Sequence, residues 1–468
     1  MISSRLVFNF LVLFLYRILS IIPYFCSKRQ YRFCMIRFIL VCFLTLWLTG
    51  YCHAQGLSPQ VSSELQYQLD SFRTANGLVG VSASVRVHNQ GSWNGVTGVS
   101  YPGKPITSDM QFGIGSNTKL FAGVILLKLV ELQMLRLEDS VYQYMGPLPN
   151  IHPHITLRQL LNHSSGLADV NEVVGYGDSI LSNPNRVFTP DEVLLWVGPP
   201  AFSPGMGWKY SNTNYILAAR IAELASGKSF HQLLDQYILS PLQLDSTYLG
   251  HYEFKAGEIA HPWQNGQDNV SIPRTALHTV AWAAGAMLST ASEMTQWYQG
   301  LMNGQILNAQ SMQEMTSFTG SGNYGIGLIQ DQINGRTVWL HGGNIYGGYN
   351  SAMLYDPVKG VSVCVLVNQN PGQAYNLAVN LLKTIWNSPL SDDGEMSEKV
   401  AFSVYPNPGH SEIHFSMPVE SVKIYEASGK LVLESRDTIL DTQALPVGYY
   451  IIEVLKENHP TRIPWVKQ

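Results

Sequence analysis

The spacing of apolar residues changes along the chain, and the order of these spacings predicts the architecture. Apolar residues alternate with small or polar ones in VGVSASVRV and SWNGVTGVS, which predicts two paired strands. Helical spacing follows in SNTNYILAARIAELASG and STASEMTQWYQGLMNG, and a helix that begins near Ser116 is apolar on nearly every side. Strand patterns return in YGIGLIQ, RTVWLHGG, YNSAMLYD and GVSVCVLVN. We therefore expect an α/β domain whose two ends build one sheet, with helices inserted between them.

The pattern changes again after the first domain, which we place at residues 55–388. The polar segment NSPLSDDGEMSEK has no apolar periodicity and predicts a linker at residues 389–399. Residues 400–468 then contain short alternating segments separated by Pro-Asn-Pro, Ser-Gly and Val-Gly turns, which are typical of a small β-sandwich. We expect this β-sandwich to be a separate domain.

The first 54 residues have the pattern of a leader. An apolar run at residues 38–48 follows Arg37, and the small residue Ala54 follows it, which is typical of a signal peptide cleaved after Ala54. The earlier apolar stretch is interrupted by a basic residue, and we expect translation to begin at Met35. The alternative is an uncleaved N-terminal membrane segment.

Charge and cysteine content narrow the class of protein. Six basic side chains lie in residues 1–54, which leaves 23 of the 29 lysines and arginines to balance 33 acidic residues. This acidic balance excludes a nucleic-acid partner. Four of the five cysteines also lie in the leader, so no intramolecular disulfide can form in the processed chain. The remaining Cys364 lies in an apolar strand pattern, which indicates packing rather than chemistry.

Lys119 stands out because it falls in the apolar helix. An ammonium loses hydration there, so burial lowers its pKa and requires compensating partners. Ser116 lies three residues earlier, and residues three apart share one face of a helix. The pair can therefore act as a base beside a nucleophile. The alternative is that Lys119 extends along its own stem to reach solvent.

Acyl transfer also needs help with proton transfer, a group that orients the substrate, and donors for the oxyanion. FSPGMGWKYSNTNY offers Tyr210 and Asn212 in a turn just before a helix. VWLHGGNIYGGYN offers His341, Gly342 and Gly343 at the end of a strand. Glycines at such a position let the backbone approach a ligand closely.

Ser116-Asn-Thr-Lys119, Tyr210-Ser-Asn212 and His341-Gly-Gly343, in this order, resemble the motifs of the serine β-lactamase-related family. That family includes class C β-lactamases, D,D-peptidases and related esterases. The resemblance covers about residues 57–388 and is supported by ITLRQLLNHSSGL, YILSPLQLDST and AWAAGAMLSTASEM. It implies a β-lactamase/transpeptidase-like fold, with an antiparallel sheet flanked by helices and a helical subdomain.

The resemblance also implies an acyl-enzyme mechanism that uses no cofactor and no metal. Ser116 attacks the substrate, and Lys119 and Tyr210 together take its proton. Asn212 holds the substrate amide or the lysine, and His341 and Gly343 contribute to substrate binding. The backbone N–H groups of Ser116 and Asn344 form the oxyanion hole, and the start of the helix adds a positive dipole end at Ser116.

His163 and His341 are expected to have different roles. His163, in NHSSGL, is expected to be a structural, hydrogen-bonded residue, since the family places its base elsewhere. His341 occupies the position at which penicillin-recognising members carry lysine, and histidine is mostly neutral at pH 7. The substitution favours esters, amides or D-amino-acid peptides over β-lactams.

The tail has a resemblance of its own. VYPNPGHSEIHF, VKIYEASGKLV, LPVGYYIIEV and the terminal VKQ resemble the C-terminal sorting domain of the type IX secretion system. This resemblance implies export through the periplasm to the cell surface or the medium, with the secretion machinery as partner. The alternative is an ordinary adhesive β-sandwich.

The sequence therefore predicts a secreted, monomeric serine hydrolase that acts on a small molecule or peptide. Two alternatives remain at this stage. One is a non-catalytic ligand-binding protein that retains the fold, and the other is a true β-lactamase or D,D-carboxypeptidase.

Overall fold

The computed structural model describes residues 56–388, 404–405, 412–415, 420–426, 430–437, 439–456 and 459–467. The expected signal peptide, the start at Met35, the possible membrane segment and the linker at 389–399 lie outside these ranges. The described α-helices are α1 Pro59–Ala75, α2 Thr118–Glu131, α3 Val141–Met145, α4 Leu157–Leu161, α5 Tyr176–Leu181, α6 Pro190–Leu194, α7 Asn212–Ser226, α8 Phe230–Leu234, α9 Thr275–Ala281, α10 Ala291–Met302, α11 Ala309–Met315 and α12 Ala374–Trp386.

A seven-stranded sheet forms the centre of the first domain. Its strands are β1 Gly80–Val87, β2 Gly91–Tyr101, β3 Lys104–Pro105, β9 Ile329–Ile333, β10 Arg336–Ile345, β11 Tyr349–Asp356 and β12 Val361–Val367. Their order in the sheet is β3-β2-β1-β12-β11-β10-β9, and every neighbouring pair is antiparallel. Because β1 pairs with β12, both ends of the domain build one sheet, as the sequence predicts.

Shorter strands lie outside this sheet. Strands β4 Phe112–Gly113, β8 Met287–Ser289 and β5 Tyr248–Leu249 form a three-stranded sheet next to the start of α2. A second small sheet contains β13 Gln369–Asn370, β6 Trp263–Gln264 and β7 Gln267–Asp268.

The two faces of the large sheet are both covered by helices. On one face, Val81 and Val85 of β1 share an apolar core with Leu65 of α1 and Leu381 of α12. On the other face, the Ser84 hydroxyl is 2.9 Å from the Thr295 hydroxyl of α10. The alternating side chains of β1 therefore point to two different helical layers.

Helix α2 is the central helix of the second layer. It is apolar all round, and nearly all of its residues are buried in the larger core with helices α4, α7 and α10. Cys364 of β12 is fully buried in the same core, as expected of a packing residue. A helix with no polar face needs protein on every side, and this is the arrangement that encloses Lys119.

One predicted strand is wrong over most of its length. Of YGIGLIQ, only Ile329 and Gln330 lie in β9. Gly327 has φ +71°, and a Cβ there would lie 2.5 Å from the Leu120 backbone of α2. The chain therefore turns against α2 before it becomes extended, because the glycines permit a close approach rather than a strand.

The C-terminal residues form two antiparallel sheets. One contains β14 Val404–Tyr405, β15 Glu412–Phe415 and β18 Ile439–Asp441, and the other contains β17 Leu431–Ser435, β16 Ser421–Glu426, β19 Gly448–Lys456 and β20 His459–Lys467. Side chains of both sheets, including Ile413, Leu440, Ile424 and Trp465, share one buried core. This agrees with the predicted small sheet domain.

Within the described ranges, no helix combines the length and the apolar character that a membrane crossing needs.

Candidate active site

Ser116 lies in the turn that leads into α2. Gly115–Asn117 form one 3₁₀ turn, and Gly115 adopts φ +54°, a conformation that favours glycine. The Asn117 amide donates to the Ser351 hydroxyl at 2.8 Å, and that hydroxyl donates to the Ile114 carbonyl at 2.7 Å. The turn is therefore fixed to β11, and Ser116 is half-buried between fully buried neighbours.

Lys119 does not extend to solvent, because its side chain is 0% exposed. Its Nζ lies 3.0 Å from Ser116 Oγ, 2.7 Å from Asn212 Oδ1 and 2.7 Å from the Ala284 carbonyl oxygen. The spacing of three residues thus brings the serine and the lysine into contact, as the helical geometry predicts.

The three partners of Lys119 fit an ammonium, which donates to all three oxygens, and they also fit a neutral amine. Burial lowers the pKa of Lys119 to about 7, while the negative charge of Asp169 opposes that shift. A neutral amine has two N–H groups and one lone pair. The two carbonyl oxygens, of Asn212 and Ala284, accept the N–H groups, and the lone pair then faces the Ser116 hydroxyl. This is the arrangement of a general base at its nucleophile.

Tyr210 and Asn212 reach the same point from the start of α7. Tyr210 precedes the helix and its hydroxyl interacts with Ser116, whereas Asn212 is the first helical residue rather than part of the turn. The Tyr210 ring centroid is 4.9 Å from Lys119 Nζ. Burial raises the pKa of Tyr210 above its ordinary value, so the phenol stays protonated and can donate.

His341 is nearly buried, at 3% exposed, and both ring nitrogens have protein partners. Nδ1 lies 2.7 Å from the Gly342 carbonyl oxygen and Nε2 lies 2.9 Å from the Tyr324 hydroxyl. Burial, with a smaller effect of Lys119, lowers the pKa of His341 to about 3. The ring is therefore neutral at pH 7, as the sequence predicts, and a substrate contact by its side chain stays a prediction.

The two glycines after His341 have different surroundings. A Cβ on Gly343 would lie 2.1 Å from the Ile114 carbonyl oxygen, so glycine lets β10 pass directly beside the Ser116 turn. A Cβ on Gly342 would meet nothing nearer than the Ser351 carbonyl oxygen at 3.7 Å. Gly343 is thus required by a close approach within the protein, while its predicted contact with substrate is not tested.

Asn344 lies next to the same turn. A Cβ on Gly115 would be only 3.0 Å from the Asn344 backbone nitrogen. The backbone segments at Ser116 and Asn344 therefore lie side by side, which is the proximity that the expected oxyanion hole requires.

Three site residues have no signal in the sequence pattern. Asp169 accepts a hydrogen bond from Asn212 Nδ2 at 2.9 Å, Ala284 accepts from Lys119, and Tyr324 binds His341. Ala284 lies within AWAAGAMLSTASEM, which only supports the resemblance and assigns no role to this residue. Each contact joins segments far apart in sequence, so no local spacing could indicate it.

His163 is a buried part of the scaffold near Tyr210. Its Nδ1 accepts from the Ser211 backbone N–H at 3.2 Å and lies 2.9 Å from the Asn214 amide nitrogen. Burial lowers its pKa well below the ordinary value, with a smaller contribution from Lys119. These contacts are those expected of a structural, hydrogen-bonded histidine.

Comparison with known proteins gives the class. Residues 68–383 match the beta-lactamase family, and residues 403–467 match the secretion system C-terminal sorting domain. Because the first match covers more than half of the chain, the protein belongs to the beta-lactamase family. Members with this fold are serine hydrolases, and the C-terminal match identifies the tail as a sorting domain rather than an ordinary adhesive β-sandwich.

Similar individual proteins include hydrolases. Protein flp of Staphylococcus aureus (strain MW2) is 26% identical over 293 residues, which are 59% of this chain and 56% of that protein. Esterase EstB of Burkholderia gladioli is 27% identical over 245 residues, 47% of this chain and 61% of that protein. The match therefore spans somewhat more than half the length of these curated relatives.

Matches to solved structures cover a larger share of this chain. A D-stereospecific amidohydrolase from Streptomyces sp. has a TM-score of 0.61 and 26% identity, covering 68% of this chain and 97% of that one. The D-amino acid amidase from Ochrobactrum anthropi SV3 has a TM-score of 0.63 and 26% identity, covering 70% and 99%.

Proposed function

We propose that this chain is an exported serine hydrolase that forms an acyl-enzyme on Ser116 and acts on an ester, an amide or a D-amino-acid peptide. The observation that carries the proposal is the environment of Lys119. Two carbonyl oxygens and the Ser116 hydroxyl account for all three positions around Nζ. Burying an amine costs free energy, so a protein that had lost catalysis would not be expected to retain Lys119 in this arrangement.

The chemical step can be assigned to this chain's own groups. Ser116 Oγ attacks the substrate carbonyl carbon while neutral Lys119 takes the hydroxyl proton. The developing oxyanion receives hydrogen bonds from the backbone N–H groups of Ser116 and Asn344. The carbonyl–heteroatom bond then breaks, and the leaving alcohol or amine departs with a proton. Water, activated by the same amine, cleaves the acyl-enzyme and restores Ser116.

Tyr210 has a supporting role in this scheme. Because burial raises the pKa of Tyr210, its hydroxyl stays protonated at neutral pH and is available to donate a hydrogen bond. In the proposed relay, the proton that Lys119 took from Ser116 moves to the Tyr210 oxygen as the hydroxyl proton of Tyr210 moves to the leaving group, so the phenol is not left ionised. Asn212 accepts a hydrogen bond from Lys119 and so holds the amine in place beside Ser116.

The substrate class follows from charge. His341 is neutral and bonded at both nitrogens, so it offers no fixed cation to a β-lactam or peptidoglycan carboxylate. The similar proteins include one named an esterase, one named a D-amino acid amidase and one described as a D-stereospecific amidohydrolase. These names support esters and amides whose acyl group carries no carboxylate as the class to test first.

A paired assay tests this proposal. The kcat/KM values for a short-chain nitrophenyl ester, a D-amino acid amide and a chromogenic cephalosporin are measured on the wild type and on Ser116→Ala. We expect hydrolysis of the ester or the amide to exceed that of the cephalosporin by more than about tenfold. A cephalosporin rate equal to the others would favour the true β-lactamase alternative, and no turnover of any substrate would favour a non-catalytic protein.

Export is the second part of the proposal. The sorting domain at residues 403–467 supports delivery to the cell surface or the medium through the secretion machinery. The catalytic groups all lie before residue 345, so this tail need not contribute to the chemistry. A monomer remains the expectation for the processed chain.

A further inference from the structure

Asn212 presents two chemically different ends to two different partners. Its Oδ1 accepts from Lys119 Nζ at 2.7 Å, and its Nδ2 donates to Asp169 Oδ2 at 2.9 Å. If the amide were rotated by half a turn, Nδ2 would face an amine and Oδ1 would face a carboxylate. Both new contacts would be repulsive, so the carboxylate determines which end of the amide faces the lysine.

Asp169 is itself held in place. Its second oxygen, Oδ1, accepts from the Asn171 backbone N–H at 3.0 Å and caps the short 3₁₀ helix Val170–Glu172. The residue is 7% exposed, and it takes part in no ion pair with a lysine or arginine in the described part of the chain. Both oxygens are therefore used, one for its own loop and one for Asn212.

The loop that carries Asp169 is fastened to the start of α7. The Ala168 carbonyl accepts from the Thr213 hydroxyl at 2.7 Å and from the Ser211 hydroxyl at 3.2 Å. The Val170 backbone N–H donates to the Thr213 hydroxyl at 3.0 Å. These bonds flank Asn212 on both sides, so the carboxylate and the amide cannot move apart without breaking several contacts.

We propose that Asp169 is a positioning residue that fixes the Asn212 amide and thereby directs Lys119 toward Ser116. This role rests on the function proposed above. It makes Asp169 part of the same reaction. The residue acts through Asn212 and does not itself contact the substrate.

The charge of Asp169 gives the role a measurable signature. The titratable groups around Lys119 are Asp169, Tyr210, Tyr215, His163 and His341. Burial lowers the pKa of Lys119, and the negative charge of Asp169 raises it. Removing the carboxylate charge therefore lowers the pKa of Lys119 further, and more of the amine is neutral in mildly acidic solution.

The test compares Asp169→Asn with Asp356→Asn in the full chain. Asp356 is a matched control because it is also buried, with one oxygen accepting from the Val358 backbone and the other accepting from the Trp386 side chain at 2.7 Å. In the Asp169→Asn variant, the amide side chain has one oxygen where the carboxylate has two. Whichever position this oxygen takes, the NH2 group takes the other and faces a donor, either the Asn171 N–H or Asn212 Nδ2.

The readout is the pH dependence of kcat/KM for a nitrophenyl ester, together with the rate of covalent labelling by a fluorophosphonate. The wild-type acidic limb should lie near pH 7. Asp169→Asn should lower kcat at least about tenfold and move the limb to lower pH by about 0.5–2 units, at an effective dielectric constant of about 20. Asp356→Asn should leave the limb in place.

A double-mutant cycle separates positioning from folding. If Asp169 acts through Asn212, Asp169→Asn should reduce kcat far less in an Asn212→Ala background. Thermal unfolding of each variant is recorded alongside, and Asp169→Ser replaces Asp169→Asn if the latter yields no folded protein. An acidic limb unchanged by loss of Asp169 in an active enzyme would overturn the positioning role alone. A wild type that neither labels nor hydrolyses would overturn the proposed function as well.

Discussion

Buried ionisable side chains cluster around Ser116. His163 is 0% and His341 3% exposed, and burial keeps both neutral by lowering their pKa values. Lys119 is subject to the same effect, and in its case the neutral form is the one that chemistry needs. A desolvated site thus supplies a base and excludes competing charges at the same time.

These histidines predict a stability that depends on pH. Their folded pKa values are depressed, so their contribution is fully present above the unfolded value of about 6.5 and is lost as pH falls through the folded value, which is about 3 for His341. We expect the free energy of unfolding to fall by up to about 1.4 kcal/mol per histidine for each pH unit below 6.5. Urea unfolding at pH 7.5 and at pH 4.5 measures this difference in the free energy of unfolding.

Two variants give this prediction its control. His341→Gln should reduce the pH dependence by removing one proton uptake, while substitution of the exposed His152 should leave it unchanged. A free energy of unfolding that is equal at both pH values would contradict the neutral state of the buried rings.

The sequence predicts contacts between site residues only where the two residues lie close together along the chain. Ser116 and Lys119 share a helix face, so their contact follows from a spacing of three. Asp169 reaches the site from a loop and Ala284 from the 3₁₀ helix Trp282–Ala284, and Ala284 is 165 positions away from Lys119. No periodicity connects such residues, because tertiary packing alone brings them together.

At the scale of elements, the site depends on how closely β10 passes the turn before α2. Gly343 allows that approach, since a side chain there would overlap the Ile114 carbonyl and the Ser351 hydroxyl, at 2.1 and 2.5 Å. A side chain on the adjacent Gly342 would meet only the Ser351 carbonyl oxygen, at an ordinary contact distance of 3.7 Å. The two glycines look equivalent in the sequence and differ in the structure, because strand neighbours point to opposite faces.

This difference predicts unequal effects of two similar substitutions. Gly343→Ala should push β10 away from Ser116 and lower kcat/KM by about 100-fold, because a displacement of about 1 Å can cost that much. Gly342→Ala should change kcat/KM by no more than about threefold. Steady-state kinetics on the nitrophenyl ester compare them. Equal losses in both variants would show that the contact of β10 with the turn does not set the geometry.

The elements themselves were predictable where the apolar pattern is strong. The sequence indicates β1, β2, β10, β11, β12, α7 and α10 at close to their observed places. YGIGLIQ fails because its glycines serve a close approach to α2, which alternation of apolar residues cannot distinguish from a strand.

At the scale of the whole molecule, two segments with different tasks follow one another. The sheet and helices of residues 68–383 belong to a hydrolase family, and residues 403–467 form a sorting domain with its own core. An independent core is what allows a small domain to fold without help from its neighbour. The order of the segments was predictable from the change in pattern after residue 388, and the exact boundaries remain predictions.

Truncation near Ser391 tests this division. All of the proposed catalytic groups precede that point, so kcat/KM should stay within about twofold of the full chain. In the native host, the truncated protein should remain in the periplasm while the full chain reaches the surface or the medium. Fractionation followed by immunoblotting measures how much of each form reaches the surface or the medium. Equal export of both forms would refute the sorting role, and loss of catalysis would show that the tail belongs to the active domain.

The central claim is that Ser116 is a nucleophile activated by Lys119. Incubation of the full chain with a fluorophosphonate above pH 7, followed by peptide mass spectrometry, tests it most directly. We expect a single covalent adduct on Ser116, absent from Ser116→Ala and formed at least about 1000-fold more slowly in Lys119→Met. No adduct on the wild type, or an adduct on another residue, would show that Ser116 is not the activated nucleophile.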